Sequence, residues 1–189
     1  MTEKMFSPDE YRGLEGRLDE DILNMYKKSV TCCFTGHRPE KMRLESEEAL
    51  FSLERRLFAE VKAAVRDGFW YFITGGSLGF DTMAAEAVLC LKEKNADVFL
   101  EIAVPCLNQS GRWAEADRNK YAEILERADK VFHVTNSDYT EKCMLLRNKY
   151  MVDRSSLVIC AYNGERGGTG STVAYAQKSG IEVINLLEE

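Results

Sequence analysis

Proline, histidine and net positive charge are all scarce in this chain. Its 189 residues include three prolines and two histidines, and no Pro-rich linker, internal repeat or low-complexity tract divides it. One core is ample use of this length, so a single domain with a short N-terminal extension is expected. Lys and Arg number 25 against 31 Asp and Glu, giving a net charge of −6. That balance argues against a surface built to neutralise a polyphosphate backbone, and nucleic acid is not an expected partner, although a local basic spot stays open. The six cysteines, Cys32, Cys33, Cys90, Cys106, Cys143 and Cys160, never fall in a C-x-x-C spacing, so disulfides and a zinc site are both disfavoured and reduced core thiols are expected. Residues 1–29 hold no apolar stretch of signal-peptide or membrane length, which points to cytoplasmic residence and no membrane association. There is no Ser-His-Asp order, no H-E-x-x-H, no strict G-x-G-x-x-G and no Walker lysine, so hydrolysis by those routes and ordinary dinucleotide or triphosphate folds are disfavoured.

What remains is an ordinary soluble composition, 45% hydrophobic and 30% charged, with a clear rhythm. Ser7-Pro8-Asp9-Glu10 is a helix start, because serine can cap, proline suits the first helical position and acids favour the positive dipole end. It predicts one N-terminal helix over residues 7–28. Short β-type runs then alternate with longer amphipathic ones: 30–34, 69–73, 98–104, 130–134, 157–161 and 181–186 as strands, with helices over 46–67, 81–94, 112–128, 142–153 and 170–179. Most of these strands are continuous apolar runs, which suits burial on both faces. A doubly wound, mostly parallel α/β sheet of about six strands with helices on both faces follows.

The polar glycine loops sit after strands. Gly36, His37 and Arg38 follow the first; Gly75, Gly76, Ser77, Gly79 and Asp81 follow the second. Gly167, Gly168, Thr169, Gly170, Ser171 and Thr172 follow the fifth and open a helix. In a parallel sheet these loops share one edge, which predicts one composite site at the point where strand order reverses. The reverse connections hold only helix-stop glycines, such as Gly68 and Gly180.

The 167–172 loop is the best phosphate cradle, since glycines free the backbone, hydroxyls add donors and no carboxylate follows in the next turns. A flexible surface turn is the competing reading. Gly36 is expected to permit an unusual backbone angle, and Arg38, held at a strand end, suits bidentate phosphate binding. His37 either hydrogen-bonds a base or makes a structural bond; His133, in an apolar run, reads as core. Asp81 either caps its helix or receives a ribose diol, and Glu86 reads as a solvated helix residue. Arg147 is the candidate catalytic residue, with surface pairing to Glu141 or Asp153 as the alternative. Trp113, Tyr139 and Tyr162 are stacking candidates, with a core role favoured for Trp113; Met151 reads as core.

Taken together, Thr35-Gly36-His37-Arg38-Pro39, the run from Gly75 to Asp81, the run from Arg147 to Asp153 and Gly167-Gly168-Thr169 resemble the bacterial YpsA family of the SLOG superfamily, which also holds DprA and the Lonely Guy phosphoribohydrolases. The resemblance spans about residues 30–187. It implies a Rossmann-like domain over 30–189 that binds a small-molecule nucleotide ligand such as ADP-ribose, an NAD fragment or AMP, with a link to bacterial cell division. Homo-oligomers and cell-division partners stay open, and no metal is implied. Arg147 and Met151 match a Lonely Guy segment and Gly167, Gly168 and Gly170 match another, but the family's glutamate falls on Ala174. Losing that carboxylate places N-glycosidic cleavage of a nucleoside monophosphate in doubt while keeping the cradle. A DprA-like nucleic-acid or scaffold role is the remaining alternative.

Overall fold

The computed structural model describes residues 6–42, 44, 46–94 and 96–187. Six parallel strands form one sheet: β1 (Thr31–Gly36), β2 (Tyr71–Thr74), β3 (Phe99–Val104), β4 (Lys130–His133), β5 (Leu157–Ala161) and β6 (Glu182–Asn185). Their spatial order is β4-β3-β2-β1-β5-β6. The chain works outward from β1 to β4 and then resumes on the other side with β5, so the reversal lies between β1 and β5. Those two strands are in register from Cys32 opposite Leu157 to Gly36 opposite Ala161.

Alternation along the strands divides the core into two layers, because successive side chains point to opposite faces. Cys32, Phe34, Phe72, Leu100, Ile102, Leu157 and Ile159 face α4 (Glu47–Arg66), α5 (Phe80–Glu93) and α6 (Glu115–Arg127). Cys33, Tyr71, Ile73, Ala103, Val158 and Cys160 face α7 (Cys143–Asp153), α8 (Gly168–Lys178) and the N-terminal helices. Five of the six cysteines are buried and all are free thiols, as small hydrophobes in a core commonly are.

The N-terminal segment departs from expectation. Ser7 does cap with Glu10 in a reciprocal box, and Pro8 is the first helical residue. Two helices follow, however, not one: α1 (Pro8–Leu14) and α2 (Glu20–Ser29). Gly16 adopts φ 76° and Asp19 starts a new cap onto Asp21, which breaks the helix. Tyr11 and Leu23 anchor the pair on the sheet, with the Tyr11 ring 5.6 Å from that of Trp70. Residues 1–5 of this segment lie outside the described residues. A short helix, α3 (Pro39–Met42), also forms after β1.

Strand β4 carries a second correction. His133 is exposed, and so are Val131 and Phe132, because β4 is the edge of the sheet and no helix covers that strand fully. The apolar run is real, but its position in the sheet decides its burial. Gly68 and Gly180 stop their helices at φ 97° and 71°. In each case a backbone N–H returns to the last turn, Phe69 to Ala64 and Ile181 to Ala176.

Phe72 is fully buried with its ring 6.0 Å from Phe34. Phe72→Ala is expected to cost about 3–5 kcal/mol in urea denaturation. Val131→Ala, on the open edge, should stay within about 1 kcal/mol; equal losses would contradict this layering.

Candidate functional site

All three polar glycine loops leave the carboxyl ends of central strands. The first two interlock through backbone: the Phe80 N–H donates to the His37 carbonyl at 3.3 Å. Gly79, at φ 90° and serving as N-cap of α5, lies so close that a Cβ there would sit 2.8 Å from that carbonyl. Gly36 behaves differently from expectation. It is the last residue of β1 with ordinary extended backbone, and its lack of a side chain is steric, since a Cβ would lie 2.3 Å from Phe80 Cβ.

The β5 loop joins from the other side. The His37 N–H donates to the Ala161 carbonyl at 3.1 Å, and Asn163 Nδ2 donates to the Lys41 carbonyl at 2.8 Å. The rings of His37 and Tyr162 lie 5.8 Å apart. His37 is 5% exposed, and its Nε2 makes no hydrogen bond among the described residues. Burial pushes its imidazole below the ordinary histidine pKa, against raising effects of Asn163 and then Glu165. A neutral ring with one unsatisfied nitrogen results.

Arg147 ties the two helical layers together across this edge. It is 5% exposed on α7, while Asp81 is 5% exposed on α5, which covers the opposite face of the sheet. Nη1 of Arg147 lies 3.5 Å from the Asp81 carboxylate and Nη2 donates to Ser77 Oγ at 3.2 Å. The surface pairing with Glu141 or Asp153 expected as an alternative does not occur; the guanidinium turns inward instead. Gly75 makes room for it: a Cβ there would stand 1.1 Å from Nη1. Asp81 also accepts from the Ser77 N–H at 3.4 Å, so its carboxylate faces inward to this cluster. Burial still raises its pKa above the usual aspartate value, with Arg147 opposing.

A relay continues to the phosphate-type loop. Arg147 Nε donates to Asn148 Oδ1, Asn148 Nδ2 donates to Thr172 Oγ1 at 2.8 Å, and Thr172 Oγ1 donates to the Gly168 carbonyl at 2.8 Å. Helix α8 begins at Gly168 with no capping side chain and no acid in its first turn. Its leading N–H groups therefore lack internal partners. Gly170 is packed under Tyr162, whose hydroxyl would be 3.1 Å from an added Cβ. Arg38 is exposed with no partner for its guanidinium among the described residues.

Several residues of this edge escape a reading by motif. Asn148 is the bridge between loops, Gln109 Nε2 donates to the Gly75 carbonyl at 3.0 Å, and Thr74 Oγ1 donates to the Asp81 carbonyl at 3.1 Å. Glu165, half-buried in the β5 loop, acts on His37. Asn148 adjoins Arg147 in sequence, which is a usable signal; Gln109 has none. Glu86 pairs with Lys120 at 2.8 Å on the outer surface. Trp113 packs edge-on against Tyr121 at 5.1 Å, while Tyr139 is exposed and Met151 is core. No group of three or more His, Cys, Asp or Glu positioned to hold a metal occurs among the described residues. Nor is any described helix long and apolar enough to cross a membrane.

Gly75→Ala is expected to destabilise by about 1–3 kcal/mol through displacement of the guanidinium. In an Arg147→Ala background the same change should cost clearly less. Strictly additive losses in denaturant melts would show that the two positions do not share space.

The YpsA family, described as the YspA SLOG family, matches residues 32–182. A UPF0398 protein of Halalkalibacterium halodurans is 30% identical over 140 residues, covering 72% of this chain and 74% of that one. A UPF0398 protein of Bacillus thuringiensis (strain Al Hakam) is 27% identical over 154 residues, with 80% and 84% covered. Among solved structures, DNA processing protein A of Helicobacter pylori, described with a single-stranded DNA binding mode, superposes with TM-score 0.58 at 18% identity over 87% of this chain and 67% of its own. The Streptococcus pneumoniae counterpart gives TM-score 0.58 at 18% identity over 85% of this chain; this chain spans about half, 51%, of that one. These two likenesses concern the fold. The match over residues 32–182 covers most of the sequence and all the glycine loops, and this chain belongs to the YpsA family of SLOG proteins.

Proposed function

We propose that this chain binds a nucleotide or nucleotide-derived ligand, phosphate plus ribose, at the edge between β1 and β5, and acts as a cytoplasmic regulatory or sensor protein. One observation carries the reading: an uncapped, acid-free helix start at Gly168 follows a loop packed against the one that presents Arg38, an exposed arginine without a partner among the described residues. Free N–H groups at a helix start and the dipole behind them favour a phosphate, and a guanidinium adds bidentate donors. The ribose is assigned to the turn from Gly75 to Gly79, with Asp81 acting through Arg147 and Ser77. His37 Nε2, buried without a hydrogen-bond partner among the described residues, is assigned to the ligand as well. These loops all belong to residues 30–189, and residues 1–29 supply none of them.

Binding is favoured over cleavage by what surrounds the carboxylates. Asp81 is held by Arg147 and Glu86 by Lys120, and Ala174 stands where the resemblance expects a glutamate. One structural relative is described as binding single-stranded DNA. The net charge of −6 here favours a small anionic ligand over a nucleic-acid backbone.

Gly168→Asp provides a sharp test. Nothing lies within 4 Å of a Cβ at this position and its φ is not positive, and an acid in the first turn suits the helix dipole. The variant should melt at or above the parent temperature. In calorimetry its affinity for AMP or ADP-ribose should fall at least about tenfold, as should that of Arg38→Ala. AMP should also come back intact from incubation with the parent protein. Unchanged affinity in both folded variants, or release of free base, would overturn the assignment.

A further inference from the structure

The opposite edge of the sheet carries a separate feature. Between α2, α7 and the amino-terminal half of β1 to β4 lies a cavity of about 850 Å³, lined in part by Lys27, Thr31, Tyr71, Glu101, Lys130 and Arg154. Thr31, Tyr71 and Lys130 are the first residues of their strands, so this cavity is remote from the glycine loops.

Glu101, the third residue of β3, is 1% exposed. It accepts hydrogen bonds from the phenols of Tyr71 and Tyr150 and from Lys130 Nζ at 2.9 Å. Burial works to raise its pKa, but Tyr150, Tyr71 and Lys130 together hold it below the ordinary glutamate value, so it is ionised. Around this one carboxylate stand three cations, each fixed over an aromatic ring. Lys27 Nζ is 4.1 Å from the Tyr71 ring centre, Lys130 Nζ 4.9 Å from that of Phe132, and Arg154 Cζ 4.0 Å from that of Tyr150. The Phe132 and Tyr150 rings are themselves stacked at 4.7 Å.

The positive charge here exceeds its compensation. Lys27 has its pKa pushed down by burial first and then by Lys130 and Arg154, with Glu101 and Glu15 only partly opposing. Of the other acids lining the cavity, Asp153 receives the Tyr175 hydroxyl at 2.7 Å and Asp21 lies exposed at the rim. Lys27 is in the last turn of α2 and Arg154 caps the end of α7, where cations ordinarily complement the dipole. The dipole alone does not account for both helix ends and a strand lysine converging on one cavity. Over all the charged residues lining the cavity, Lys27, Lys28, Lys130 and Arg154 stand against Asp21, Glu101 and Asp153, a surplus of one positive charge that suits an anionic group such as a phosphate monoester. The cavity is also much larger than a bare phosphate and offers Asn24 and Asp21 to a hydroxylated body.

We propose that this cavity is a binding site for a small phosphate monoester, with the phosphate among Lys27, Lys130 and Arg154 and the polar body toward Asn24 and Asp21. It is independent of the nucleotide site proposed above.

Calorimetry on the full chain tests it with glucose 6-phosphate, glycerol 3-phosphate and phosphoserine as probes, and glucose and orthophosphate as controls. At least one ester should bind more tightly than about 1 mM, with glucose silent and orthophosphate weaker. Lys27→Gln combined with Arg154→Gln should weaken that ester at least about tenfold; Lys130 is kept because it pairs with buried Glu101. Gly168→Asp should leave it unchanged. The proposal fails if none of the three esters binds, or if a folded double variant, judged by circular dichroism, binds as the parent does. Orthophosphate binding as tightly as the ester removes the assignment of the body, and loss of binding in Gly168→Asp places the anion at the other edge.

Discussion

Arg147 reaches across the end of the sheet to Asp81, and the arrangement of the whole carboxyl edge follows from that crossing. The two residues come from helices on opposite faces and both are buried, so neither charge has water to fall back on. Removing one partner of such a pair typically costs about 3–5 kcal/mol, because the other is left uncompensated. The pairing holds the β2 turn through Ser77 and the β5 loop through Asn148 and Thr172. A geometry shared by two loops is thereby fixed by one guanidinium.

Backbone proximity supplies the remaining constraint. Gly36, Gly75 and Gly79 are each pressed against another segment: Phe80, Arg147 and the His37 carbonyl respectively. Only Gly79 among these has a positive φ, at 90°. The other two are glycine for want of space, which matches a site assembled by packing loops tightly at a strand reversal. Residues 167 and 168 are the contrast. No atom stands within 4 Å of an added Cβ at either, so the helix start they form faces open space where an anion can approach.

Much of this was readable from the sequence because the central strands are buried on both faces and therefore write themselves as unbroken apolar runs. The six strands, the parallel order and the common edge of the loops all follow from local pattern. His133 departs from its expected core placement for a reason local pattern cannot supply: Val131 and Phe132 look like core, but whether a strand is central or at an edge depends on the order of the whole sheet. The inward turn of Arg147 was hidden for a related reason. Its partner lies 66 residues away, whereas Glu141 and Asp153 are neighbours in the chain. The steric roles of Gly36 and Gly75 likewise depend on side chains from later elements, and the break at Gly16 sits within an otherwise continuous helical pattern.

The β1, β2 and β5 loops are proposed to form one anion-holding surface. Amide resonances followed by NMR during titration with AMP test it most directly. Concerted shifts at residues 36–38, 75–79 and 167–172 that saturate at a single dissociation constant are expected. Shifts confined to one loop, or centred elsewhere on the molecule, would contradict it.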